Sequence, residues 1–174
     1  MRYLNSSELR VTGPVKLNQK LVAPADSFQD VRVIAYPAPK GDLLFLNETN
    51  GKISSTPSVA GLSKLTDGDM NTSISMPAGG AITIDLKANE PFTARSLTLK
   101  PTEHPMGAQC ELQVKEGDAF KTLVQFDINR TNPALNVGFD PYAPVVMSIP
   151  ATTATDFRLI VTGANNGSGL AEVS

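Results

Sequence analysis

The chain has 174 residues, 15 basic and 17 acidic side chains, a formal net charge of −2 and a hydrophobic fraction of 41%, enough for one domain with its own core and too little for a second full one. Its Lys and Arg residues are scattered, which argues against a nucleic-acid-binding face, and no apolar run reaches the length needed to cross a membrane. A single cysteine, Cys110, and a single histidine, His104, exclude an internal disulfide and leave too few ligands for a zinc site.

Met1 to Asn5 carry no charged-then-apolar leader pattern. Residues 1–40 hold thinly spaced apolar positions (Leu9, Val11, Val15, Leu17, Leu21, Val22) and are expected to form a lead-in strand and connector packed on the main domain, residues 41–174. Val31–Tyr36, ending at Pro37, and Leu43–Leu46 have the composition of short strands. Ser58–Leu65, with Ala60, Leu62 and Leu65, offers the best helical spacing.

Period-two alternation then dominates. Ile82, Ile84 and Leu86 alternate with Thr83 and Asp85; Leu97 and Leu99 follow the same rule. So do Cys110, Leu112 and Val114, then Val124, Phe126 and Ile128, and later Phe157, Leu159 and Val161. Val145–Ile149 is expected to stop at Pro150. Many short strands joined by Gly- and Pro-bearing turns predict an all-β protein, an antiparallel β-sandwich of jelly-roll type. Cys110 falls on an inward position and reads as a small buried hydrophobe. Gly169–Ser174 opens a last strand at which the chain stops, which predicts a domain boundary within a larger protein.

Leu65 to Ser73 is the densest group of oxygen donors. Asp67 and Asp69, with Thr72 or Ser73 and the turn carbonyls, suit a hard cation such as calcium, and Gly68 lets the backbone curl around it. An EF-hand is excluded because its sixth position would be Thr72 rather than Gly and its twelfth Ala78 rather than Glu. A plain Asp-Gly turn, with Asp69 or Asn71 bonded to its own backbone, is the alternative.

The order of the Asp67-Gly68-Asp69-Met70-Asn71-Thr72-Ser73 loop, the Ile82–Leu86 strand, the Glu111–Phe120 hairpin, the Thr155–Val161 strand and the closing Leu170-Ala171-Glu172-Val173 resembles the galactose-binding-like sandwich, also called the discoidin or coagulation-factor C-type fold. The resemblance covers residues 60 to 174. It implies one structural Ca²⁺ held by Asp67, the Asp69 backbone, Thr72, the Ala171 carbonyl and Glu172. The chain departs from the family where an aromatic should follow Thr72: Ser73 and Ile74 stand there, and the chain has no Trp. Upstream, Ser27–Pro39 is similar to a stretch of bacterial α-L-rhamnosidase-type enzymes of glycoside hydrolase family 106. That likeness implies a non-catalytic accessory module of a secreted glycoside hydrolase, periplasmic or extracellular, whose partner is the catalytic barrel domain of the same parent chain.

No pair of carboxylates marks a glycosidase centre, and no nucleophile accompanies His104, so no catalytic residue is expected. Carbohydrate binding uses an aromatic face with polar groups around it. His104, Arg130, Phe139 and Tyr142, in loops between strands, are the candidates, with ordinary loop packing as the alternative. An autonomous lectin-like module or a surface adhesion domain would carry the same features. Asn-x-Ser/Thr triplets at Asn5, Asn47, Asn71, Asn129 and Asn166 read as chance in a bacterial chain rich in these residues.

Overall fold

A computed structural model of the chain describes residues 46–131 and 140–174, with 11, 13–18, 20 and 34–37 of the leading segment. The chain divides into two compact units, Met1–Pro39 and Lys40–Ser174. The lead-in strand expected in 1–40 falls largely outside the described residues, and Ile34–Pro37, inside them, form no strand. Of the Leu43–Leu46 segment only Leu46 is described, and it is irregular.

The second unit carries β1 (Gly51–Thr56), a 3-10 helix (Leu62–Thr66), β2 (Ile74–Ser75), β3 (Ala81–Thr102), β4 (Gly107–Glu116), β5 (Ala119–Asn129), β6 (Val145–Thr162) and β7 (Gly169–Val173). Every strand pairing is antiparallel, in the order β2-β7-β3-β6-β4-β5, with β1 also on β3. The first half of β3 runs between β1 and the end of β6, which continues to β4. The second half of β3 runs between β7 and the start of β6. One ladder thus folds over on itself. Ile82, Ile84, Leu112, Leu159 and Val161 of one layer share a core with Leu97, Leu99, Ile149, Leu170 and Val173 of the other. Each such side chain taken wholly out of water stabilises the fold by about 1.5–3 kcal/mol before entropy is counted. The architecture is the expected antiparallel β-sandwich.

Three expectations are corrected. The strands read at Ile82–Leu86 and Leu97–Leu99 are parts of one 22-residue strand, and β6 passes straight through Pro150. The ladder shows why. Ser96 faces Ser148 and Ala94 faces Thr152, so Arg95 opposes the three residues 149–151. Pro150 sits in a bulge where no ladder N–H is required. Pro91 occupies the other β3–β6 irregularity, between Lys87 and Phe92. Bulges also shift the inward phase of β3 from even residues (Ile82, Ile84) to odd ones (Leu97, Leu99). The helical expectation at Ser58–Leu65 shortens to a 3-10 turn behind a left-handed Gly61. Leu65 is fully buried, whereas Ala60 is exposed. Cys110 is buried in β4, and desolvation, helped by the nearby Asp127 charge, pushes its thiol up to about 12. Such a thiol stays protonated and unreactive at neutral pH.

Candidate functional site

The Asp67 loop is built from local hydrogen bonds. Asp67 Oδ1 accepts from the Asp69 amide at 2.8 Å, and Asp67 Oδ2 accepts from Thr72 Oγ1 at 2.8 Å. Asp69 Oδ1 accepts from the Asn71 amide (2.9 Å) and from Asn71 Nδ2 (2.8 Å), which hold its carboxyl below the usual range. The Asp69 side chain is therefore spent within the loop, while its carbonyl receives the Thr72 amide at 3.1 Å. Gly68 has φ +78°, the left-handed region that glycine adopts without strain. That turn aims its N–H at Glu172 Oε1, 2.6 Å away. A contact spanning 104 residues thus ties the loop to β7.

Glu172 is 7% exposed, and its Oε2 is a buried oxygen with no hydrogen-bond partner among the described residues. Desolvation raises its pKa; the Gly68 amide opposes this, the Asp67 charge adds to it, and the Val173 amide opposes it. The Asp67 charge is thus felt at Glu172, one oxygen of which has no hydrogen-bond partner among the described residues. An orphaned buried carboxylate oxygen is costly, and a cation between the two groups would remove both penalties. Ala171 is the residue skipped where Lys100 pairs with Glu172 and Pro101 with Leu170, and a bulge of this kind disturbs the ladder locally. Among the described residues no three His, Cys, Asp or Glu side chains cluster as a metal site. The Asp67 and Glu172 carboxylates, the Thr72 hydroxyl and the Asp69 carbonyl are all oxygen donors, a chemistry suited to a hard oxygen-seeking ion rather than to zinc or copper.

The residues read as a sugar-binding group lie at the β3–β4 turn and on the segment before β6. His104 Nδ1 donates to the Gly167 carbonyl at 2.9 Å. Tyr142, 37% exposed, donates its hydroxyl to the Glu103 carbonyl at 3.2 Å. The Arg130 amide donates to the Met106 carbonyl, and its Nη2 reaches the Pro144 carbonyl at 3.4 Å. His104, Tyr142 and Arg130, far apart in sequence, are thereby linked through two short turns. Phe139 lies outside the described residues. Sequence reasoning missed Glu103, which adjoins His104 and has φ +68°, the one described non-glycine residue in the left-handed region. Its carboxylate accepts from Ser73 Oγ (2.7 Å) and Ser75 Oγ (3.4 Å). The Thr102-Glu103-His104-Pro105 run gave no sign of this, because the strain arises from contacts with three separate segments.

No family model matches the chain, and a search of the curated proteins finds no match. Solved structures do resemble it. The Clostridium perfringens module CpGH89CBM32-5, in complex with GalNAc-β-1,3-galactose, aligns with TM-score 0.56 and 20% identity over 74% of this chain and 96% of that one. The family 32 carbohydrate-binding module of C. perfringens NanJ, in complex with galactose, aligns at 0.57 and 11% over 74% and 94%. A truncated AlyQ with CBM32 and alginate lyase domains aligns at 0.55 and 15% over 70% of this chain but only 30% of that one. At these identities the shared property is the sandwich fold.

Proposed function

We propose that residues 40–174 form a non-catalytic carbohydrate-binding module of a larger carbohydrate-active enzyme, with a structural calcium in the Asp67–Glu172 clasp. The observation that carries the binding role is the meeting of an exposed aromatic, Tyr142, with His104 on the backbone of one turn. A ring face beside polar groups is what a pyranose requires. The printed ligands of two structural neighbours, galactose and GalNAc-β-1,3-galactose, make galactose-type sugars the first to try. For calcium, Glu172 Oε2 is the supporting observation. Asp67, Thr72, Glu172 and the Asp69 and Ala171 carbonyls would hold the ion, which supplies positive charge and no reaction.

The finer reading, an α-L-rhamnosidase-type parent secreted from a bacterium, rests on the similarity of Ser27–Pro39 to family 106 enzymes. No helix among the described residues is long and apolar enough to cross a membrane. Titration calorimetry of the 174-residue chain against galactose, GalNAc-β-1,3-galactose and rhamnose tests the binding role. Tyr142→Ala and His104→Ala should each weaken binding by roughly tenfold or more, since base-rate stacking and hydrogen-bond losses are about 1–3 kcal/mol. Absence of binding to a glycan array at millimolar sugar would reject it. The chain should not hydrolyse aryl rhamnosides; turnover would overturn the accessory role.

A further inference from the structure

The Glu103–His104 turn is held from three sides. Ser73 and Ser75, immediately after the Asp67 loop, donate to the Glu103 carboxylate. The segment leading into and opening β7 forms its floor. A Cβ on Gly167 would stand 2.8 Å from His104 Nδ1, and one on Gly169 would stand 2.9 Å from Glu103 Cδ and 2.8 Å from the Ile74 carbonyl. The third support is Tyr142, whose hydroxyl holds the Glu103 carbonyl while its own carbonyl receives Lys100 Nζ. A non-glycine residue at φ +68° persists only where its surroundings hold it there.

Two of these supports adjoin the clasp in sequence. Ser73 and Ser75 follow Thr72, and Gly167 and Gly169 precede Ala171 and Glu172. The same two segments pair as β2 and β7, Ile74 with Leu170 and Ser75 with Gly169, so the clasp and the turn share one pair of strands. We propose that the Glu103 turn couples the clasp to the glycan-facing end: a cation bound by Asp67 and Glu172 sets the turn, and the turn sets His104 and Tyr142, with Glu103 as the positioning residue. The proposal rests on the cation and glycan readings above. Coupling of this kind is reciprocal, so sugar tightens calcium binding by the factor by which calcium tightens sugar binding.

His104 is the only histidine of the chain, so its imidazole resonances report on the turn without assignment. Calcium is titrated into the chelator-treated chain while the proton spectrum and the Tm are followed. In the wild type, the His104 resonances should move with the same half-saturation as the rise in Tm, and galactose affinity should increase roughly fivefold or more. In Glu103→Ala the Tm rise should persist while the resonance shift and the affinity gain fall away. Glu103→Gly, which tolerates the left-handed backbone and removes the whole side chain, should behave alike and guards against misfolding of the alanine variant. Static resonances in the face of a calcium-dependent Tm overturn the coupling and leave the cation reading standing. A response that survives in both variants removes Glu103 from the role. An unchanged galactose affinity overturns the link to sugar, and a chain whose Tm ignores calcium overturns the cation reading and the coupling together.

Discussion

Two glutamates show how differently this sandwich treats a carboxylate. Glu111, on the outward face of β4, accepts from Gln113 Nε2 at 2.7 Å, from Gln125 Nε2 at 3.0 Å and from Thr122 Oγ1. Those donors hold its pKa below the ordinary value. Glu172, buried on β7, has one oxygen on the Gly68 amide and the other without a hydrogen-bond partner among the described residues, and desolvation raises its pKa. The outer face is complete as the protein makes it. The clasp leaves one buried carboxylate oxygen without such a partner among the described residues.

The largest expected effect follows from that contrast. Calcium at a hundred times its Kd should stabilise the fold by about 2.7 kcal/mol, a rise in Tm of roughly 5–10 °C for a chain of this size. Asp67→Ala or Glu172→Gln should abolish the rise, measured by thermal melts with and without chelator. Glu172→Gln, which also removes the repulsion from Asp67, should be at least as stable as the wild type in chelator. A melt indifferent to calcium would make the loop a plain Asp-Gly turn.

A smaller effect is expected on the outer face. Arg158 bonds Asp85 through Nε (2.7 Å) and Nη2 (3.2 Å) and lies 3.8 Å from the Phe120 ring centroid. The pair is about one-third exposed, so Arg158→Met should cost only about 1 kcal/mol of unfolding free energy, read from denaturant melts. It should leave the calcium increment untouched, and loss of that increment would show the two regions to be joined.

The smallest effect belongs to Glu111. Its folded pKa is depressed, so its contribution is present above the ordinary value of 4.5 and disappears as pH falls through the lower folded value. Glu111→Gln should therefore be slightly less stable than the wild type at pH 7, with the gap closing below about pH 4.5. Denaturant melts across that range check the sign. A gap that widens on acidification would mean that the carboxylate is not held ionised by its three donors.

Alternation of apolar and polar residues was enough to determine the strands around Ile84, Leu112, Ile128 and Leu159, and with them the sandwich class, because each inward side chain must leave water whatever its partner. Local chemistry likewise made the Asp67 loop legible, since Asp, Gly and Thr at this spacing build the turn from their own hydrogen bonds. Strand length was not legible: Pro150 read as a stop, and only the pairing of β3 with β6 supplied the bulges that carry the strands past Pro91 and Pro150. β1, Gly-Lys-Ile-Ser-Ser-Thr, was missed because its one large apolar side chain, Ile53, makes no periodic signal. His104 and Tyr142 were named separately, but their meeting depends on Glu103, whose backbone is held by residues distant in sequence. The raised pKa of Glu172 was equally hidden. Desolvation and an orphaned oxygen are properties of what surrounds a carboxylate, and only the folded chain decides what that is.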